Sequence, residues 1–145
     1  EHLTMNLNLE GKGLRFIIVR YDGTGLRKLS EAIEGSGHPS VHASGQCLIT
    51  DSYTKDYGAR PDGTTPIRLI SLTRDTQLEL IRMRTATPYD STLRLDPHPA
   101  WDRTHCLIAF NGYDGGTRRV YVADLRQALA EWGIKAPEGS ATAPA

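Results

Sequence analysis

No stretch of this sequence is apolar for long enough to cross a membrane as a helix, and neither sign of charge is in excess, seventeen Lys and Arg balancing seventeen Asp and Glu. The first lack argues against a membrane segment. The second removes the overall field that would draw the chain to nucleic acid or to anionic lipid, so neither is expected as a partner. Cysteine is scarce: Cys47 and Cys106 form no CxxC pair, which argues against a metal or redox motif of that kind. Their settings, QCLIT and HCLIA, are alike and point to equivalent buried strand positions with reduced thiols. Unpaired thiols favour the cytoplasm. The N-terminus lacks the pattern of a signal peptide, and Glu1 stands directly ahead of a strand-like run, so the natural start is expected further upstream.

Long helical patterns are also missing, and in their place fourteen glycines and eight prolines punctuate short apolar runs. That distribution predicts many short strands joined by turns. A repeat emerges when residues 38–49 (HPSVHASGQCLI) are laid over residues 98–108 (HPAWDRTHCLI) with one residue dropped from the second copy, a period near sixty. Each copy opens on His-Pro, passes through a polar turn into a Cys-Leu-Ile strand, and continues into a second strand, IRLISL at 67–72 or RVYVADL at 119–125. A truncated first copy precedes them. In it LTMNL at 3–7 matches the Cys-Leu-Ile strand and FIIVRY at 16–21 the next, with Asp22-Gly23-Thr24-Gly25 as a hairpin turn.

Antiparallel units repeating at this spacing are the pattern of propeller blades, each burying its faces against its neighbours. The predicted fold is therefore all-β, a partial β-propeller of about three blades over residues 1–132, with blades near 1–30, 37–85 and 96–126. LRQALAEW at 125–132 has helical spacing and stops at Gly133, so a short C-terminal helix is expected, then a disordered tail at 133–145. The last blade should lack its outermost strand. Three blades leave two open faces, to be covered by missing blades or by another chain. Asp22-Gly23-Thr24-Gly25 and Asp114-Gly115-Gly116-Thr117 are turns, lacking a P-loop lysine and the acidic spacing of a calcium loop.

Residues 1–126 resemble the oligogalacturonate lyases and their relatives, propellers with a catalytic metal near the central axis. The likeness is carried by Gly37-His38 leading to a Gly45 turn and the Asp51-bearing strand, by Asp96-Pro97-His98-Pro99, by Phe110-Asn111-Gly112, and by residues 119–125. In the family the segment at His98 reads Gln-x-x-His-Pro-His-Pro, whose glutamine and two histidines hold the metal with a histidine of the preceding blade. His38 and His98 fit that pattern. Asp96 stands in place of the first histidine of the pair, and Leu93 in place of the glutamine.

The resemblance implies a divalent metal, manganese foremost, and a uronic-acid oligosaccharide cleaved by β-elimination. His38, Asp96 and His98 are the candidate ligands, since imidazoles suit manganese, iron and zinc and a carboxylate makes a harder third donor. Asp51 is the candidate to orient a ligand histidine from behind, and Arg94 to hold a substrate carboxylate. The family's base would fall upstream of Glu1, so the chain alone is expected to be inactive. The competing reading is a non-catalytic, TolB-like scaffold or binding module, in which the two His-Pro segments hydrogen-bond backbone groups and only organise blades. A glycosidase would need facing carboxylates, for which Asp51 and Asp96 are the pair to consider. His2, His42 and His105 are expected at the surface, while Trp101 and Trp132 are expected to pack between blades and at the helix.

Overall fold

The computed structural model describes residues 1–9, 11–56, 58–85 and 94–135. Leu93 and the end of the tail fall outside that range. Three antiparallel sheets follow one another along the chain. The first contains β1 (His2–Asn8), β2 (Leu14–Arg20) and the short β3 (Arg27–Lys28), paired in that order. The second, the only complete four-stranded blade among the described residues, runs β4 (Ser40–Val41), β5 (Cys47–Thr50), β6 (Thr64–Ser71) and β7 (Thr76–Arg84). The third has β8 (Ala100–Trp101), β9 (Leu107–Asp114) and β10 (Thr117–Asp124), followed by α1 (Arg126–Glu131). This is the expected all-β, three-blade arrangement with a short C-terminal helix.

The middle blade explains why the sequence looks apolar without clean alternation there. Cys47, Ile49, Ile67 and Leu69 pack toward the third blade, against Ile108, Phe110 and Leu129. Leu48 and Ile70 pack toward the first blade, against Phe16, Leu29 and Ile33. A strand buried on both faces reads as a continuous hydrophobic run, and β5 is buried at all four positions. Gly115 and Gly116, both at positive φ, close the β9–β10 hairpin, a turn that demands left-handed residues. The side chain of Asp22 accepts from the backbone N–H and hydroxyl of Thr24, closing the turn between β2 and β3. Ile134 is buried in the same core as Leu129, two residues past the expected end of the packed region at 132.

The inner hairpins correct the repeat alignment. Ser40 pairs with Ile49 and Val41 with Leu48, while Ala100 pairs with Ala109 and Trp101 with Ile108, each residue sixty positions from its counterpart. No residue is dropped. His105 takes the place of Gly45, and both lie in the left-handed region at φ 55° and 69°. Cys106 is therefore the counterpart of Gln46, and it is only partly buried, whereas Cys47 is fully buried. The two Cys-Leu-Ile strings align only with a gap because they sit one residue apart in the strand register.

His42 is also corrected: it is 1% exposed rather than at the surface. Its Nδ1 accepts from the backbone N–H of Ser44, and its Nε2 donates to the carbonyl of His105 in the next blade. A turn residue is buried here because two blades meet over the turn. Trp101 packs edge-on against His42 and donates its indole N–H to the Ser40 carbonyl, and Trp132 lies against the core beside α1, as expected of both.

Candidate metal centre

His38 and His98 each lie two residues ahead of the innermost strand of their blade, β4 and β8. That shared position brings their rings to a centroid separation of 3.6 Å, nearly edge to face at 76°. Asp96 joins them. One donor atom from each of His38, Asp96 and His98 lies within 4.8 Å of the other two. A cation with bonds of about 2.0–2.2 Å holds three donors no more than about 3.8 Å apart, so the cluster would take one by drawing together by up to about 1 Å. Two nitrogens and one carboxylate are a donor set suited to zinc, iron or manganese. The site fits such an ion chemically.

Asp51 sets this geometry from beneath. Its carboxylate is fully buried and accepts from the backbone N–H of His38 at 2.7 Å, from Nδ1 of the same residue at 3.0 Å, and from the backbone N–H of His98 at 2.9 Å. With Nδ1 engaged, the nitrogen of His38 left for another partner is Nε2, the arrangement in which a carboxylate fixes the tautomer of a ligand histidine. The backbone pays a local cost. His98 is held at φ 46°, a region that disfavours a side-chain-bearing residue by about 1–2 kcal/mol, and its hydrogen bond to Asp51 offsets that strain. Gly37 is required for the same closure: at φ 75°, a Cβ there would lie 2.2 Å from the carbonyl oxygen of Asp51.

The Asp51 position recurs in all three blades. Backbone N–H groups of Tyr21, Leu72 and Leu125 close onto the carbonyls of Glu1, Gln46 and Cys106, and five residues on from those carbonyls stand Asn6, Asp51 and Asn111. Each reaches a His-Pro entry segment or its equivalent. Asn6 donates through Nδ2 to the Gly37 carbonyl, and Asn111 donates through Nδ2 to the Asp96 carbonyl at 3.4 Å. Sequence reasoning missed the role of Asn6 and the shared position, although the spacing from each strand start would have shown it once the sixty-residue register was used.

Arg94 does not stand free for a substrate. Its Nε donates to Oδ2 of Asp96 at 3.0 Å, so the guanidinium occupies the carboxylate that would serve as the third ligand. Tyr53 borders His38 edge-on, its ring 5.3 Å from that of the histidine. Asp51 and Asp96 form no facing pair of the glycosidase kind, because Asp51 is buried with both oxygens committed to His38 and His98. The groove between β7 and α1, walled by Leu80, Ile108, Ala128 and Glu131, contains none of these residues.

No family model matches the chain, and no curated protein sequence does. Solved structures are similar to the chain, two of them as follows. TolB from Acinetobacter baumannii aligns over 87% of this chain and 27% of its own length, with a TM-score of 0.56 and 14% identity. An oligogalacturonate lyase from Vibrio parahaemolyticus aligns over 88% of this chain and 37% of its own, with a TM-score of 0.56 and 12% identity. The chain thus spans about a quarter of the first neighbour and little more than a third of the second. At such identities the likeness establishes architecture alone, and it agrees with the sheet order: the chain has the fold of a partial, all-β propeller.

Proposed function

We propose that His38, Asp96 and His98 bind a divalent cation at the inner edge of two neighbouring blades, and that this site holds the carboxylate of a uronic-acid sugar. The observation that carries the reading is the convergence of three donors from two blades above a buried carboxylate that fixes one imidazole. When bound, such a cation would take a carboxylate oxygen and stabilise the negative charge that develops when the neighbouring C–H of a uronide is deprotonated in β-elimination. The chain's own residues bind and orient. Asp51 holds His38, Asp96 would be shared between the cation and Arg94, and Arg94, paired with Asp96, would lie beside the ligand carboxylate. Proton abstraction is assigned to no residue of this chain, so binding without turnover is the expected behaviour.

The test is metal content by plasma mass spectrometry on chelator-free protein, for the wild type and for a His38→Ala, His98→Ala double variant. Stoichiometric manganese, iron or zinc that the variant loses supports the site and identifies the ion. Galacturonate titrated into the loaded protein should then bind in a metal-dependent way.

One observation favours a second reading, a non-catalytic propeller scaffold. Asp51 has its hydrogen bonds satisfied by His38 and His98 without any cation, so the two His-Pro entries already act as a clasp between blades. Absence of metal from wild-type protein would sink the first reading and leave this one.

A further inference from the structure

The charges around the three donors change sign when an ion enters. Among the described residues, two carboxylates belong to the cluster: Asp51, bound to His38, and Asp96, one of the donors. Arg94 is the cation held against it, its Nε 3.0 Å from Oδ2 of Asp96. Histidines serve as ligands in their neutral form. Without an ion, the guanidinium therefore balances one carboxylate and leaves one negative charge over, which draws a cation in. A divalent ion reverses the excess, because ion and guanidinium together outweigh the two carboxylates by one positive charge. Three protein donors also leave positions open on zinc, iron or manganese, and a monoanion that offers an oxygen fills one of them while cancelling that charge. The pair is built into the fold. Leu95, between Arg94 and Asp96, is buried, and Asn111 donates to the Asp96 carbonyl at 3.4 Å and to the Pro97 carbonyl at 2.7 Å. Asp96 is 12% exposed and Arg94 44%, so an anion from solvent reaches the guanidinium while its partner carboxylate stays largely covered.

We propose, resting on the reading of this cluster as a cation site, that Arg94 makes the ion and a ligand carboxylate depend on each other: it weakens binding of the ion alone and strengthens binding of the two together. The cause is its partner. By sharing Asp96 with the ion, the guanidinium draws on the charge of the third ligand and adds a repulsion at short range. A carboxylate set between ion and guanidinium is attracted to both, which turns that repulsion into a gain. Linkage requires the converse as well, so the ion raises affinity for the carboxylate by the same factor. Ion and acidic sugar therefore load together, and a sugar without a carboxylate gains nothing from the ion.

All the groups involved lie between residues 38 and 98, so the chain itself is the material for the test. Chelator-stripped wild type, Arg94→Gln and Arg94→Lys are titrated with manganese, followed by electron paramagnetic resonance of the free ion, and separately with zinc, followed by calorimetry. Each titration is run alone, with galacturonate and with galactose, which lacks the carboxylate. Arg94 is half-exposed, so the variants are expected to fold, as circular dichroism checks. The ion alone should bind Arg94→Gln about fivefold or more tightly than wild type, and Arg94→Lys, which keeps the charge, about as weakly as wild type. Galacturonate should raise ion affinity about fivefold or more in wild type and by a smaller factor in Arg94→Gln, and galactose should change neither. Equal or weaker ion binding by Arg94→Gln, the same galacturonate factor in both proteins, or a lysine variant that behaves as the glutamine one would each overturn the proposal while leaving the cation site standing. No ion bound by any of the three, with or without galacturonate, overturns the site and the proposal with it.

Discussion

The backbone N–H of His98 donates to Oδ2 of Asp51 at 2.9 Å, linking residues 47 positions apart and two neighbouring blades. The same carboxylate also holds His38 by its backbone and its ring. Asp51→Ala would leave three donors without their acceptor, and a loss of about 3–5 kcal/mol is expected for breaking a buried charged network of this kind. Asp51→Asn keeps the shape but aims an N–H at one donor, so an intermediate loss is expected. Urea denaturation followed by circular dichroism measures both; an alanine variant as stable as wild type would show that the clasp contributes nothing.

His105 occupies a glycine's place in the inner hairpin, at φ 55°, and its Nδ1 is buried without a hydrogen-bond partner. His105→Gly relieves left-handed strain of about 1–2 kcal/mol and removes the unpaired nitrogen, while the carbonyl that His42 uses is retained. Lost contact with the His42 ring and greater freedom of the unfolded chain oppose the gain. Stability equal to wild type, or up to about 1 kcal/mol higher, is the expected result of a thermal melt. A drop of several degrees would mean that the ring contact outweighs the strain.

Burial pushes the pKa of His42 below its ordinary value of 6.5, and the nearby His105 adds to the shift while the hydrogen bond to the His105 carbonyl opposes it. Nδ1 accepts from Ser44, so a proton there would collide with an existing donor. In the unfolded chain His42 takes up a proton near pH 6.5, while in the folded chain it does so only at lower pH. Its contribution to stability is thus complete above 6.5 and is lost as pH falls from there through the folded value. Proton NMR of the His42 ring should show the low titration, and melting temperature should decline over the same interval. A ring that titrates at or above 6.5 contradicts the burial argument.

The two thiols should separate cleanly in reactivity. Cys47 lies wholly inside the middle blade and its burial pushes the thiol pKa up to about 12, whereas Cys106 is partly exposed at the end of a turn. The thiolate is the reactive form. A disulfide reagent at neutral pH should modify one thiol per chain promptly, identified by mass spectrometry as Cys106, and reach Cys47 only in denaturant. Equal rates for both would show that the blade opens easily around β5.

Local pattern was enough for the strands, for the turns at Asp22 and Asp114, for the C-terminal helix, and for the equivalence of His38 and His98. Each of these depends on neighbours in the chain: glycine where a turn needs positive φ, and apolar runs where a strand is buried on both faces. Local pattern misjudged His42 and paired Cys106 with Cys47, because residue identity cannot reveal that a histidine has adopted a glycine's backbone conformation.

What tertiary structure alone decided is who meets whom across blades. Asp51 reads in sequence as a candidate to orient a ligand histidine, and it becomes a clasp between two blades because Gly37 lets the chain close onto it and His98 arrives from the next blade. Arg94 reads as a free cation near the site, yet the fold commits it to Asp96. Such partners are separated by tens of residues or set by loop path, and the energy that selects them is burial and hydrogen bonding in the assembled blades rather than any preference of the local chain.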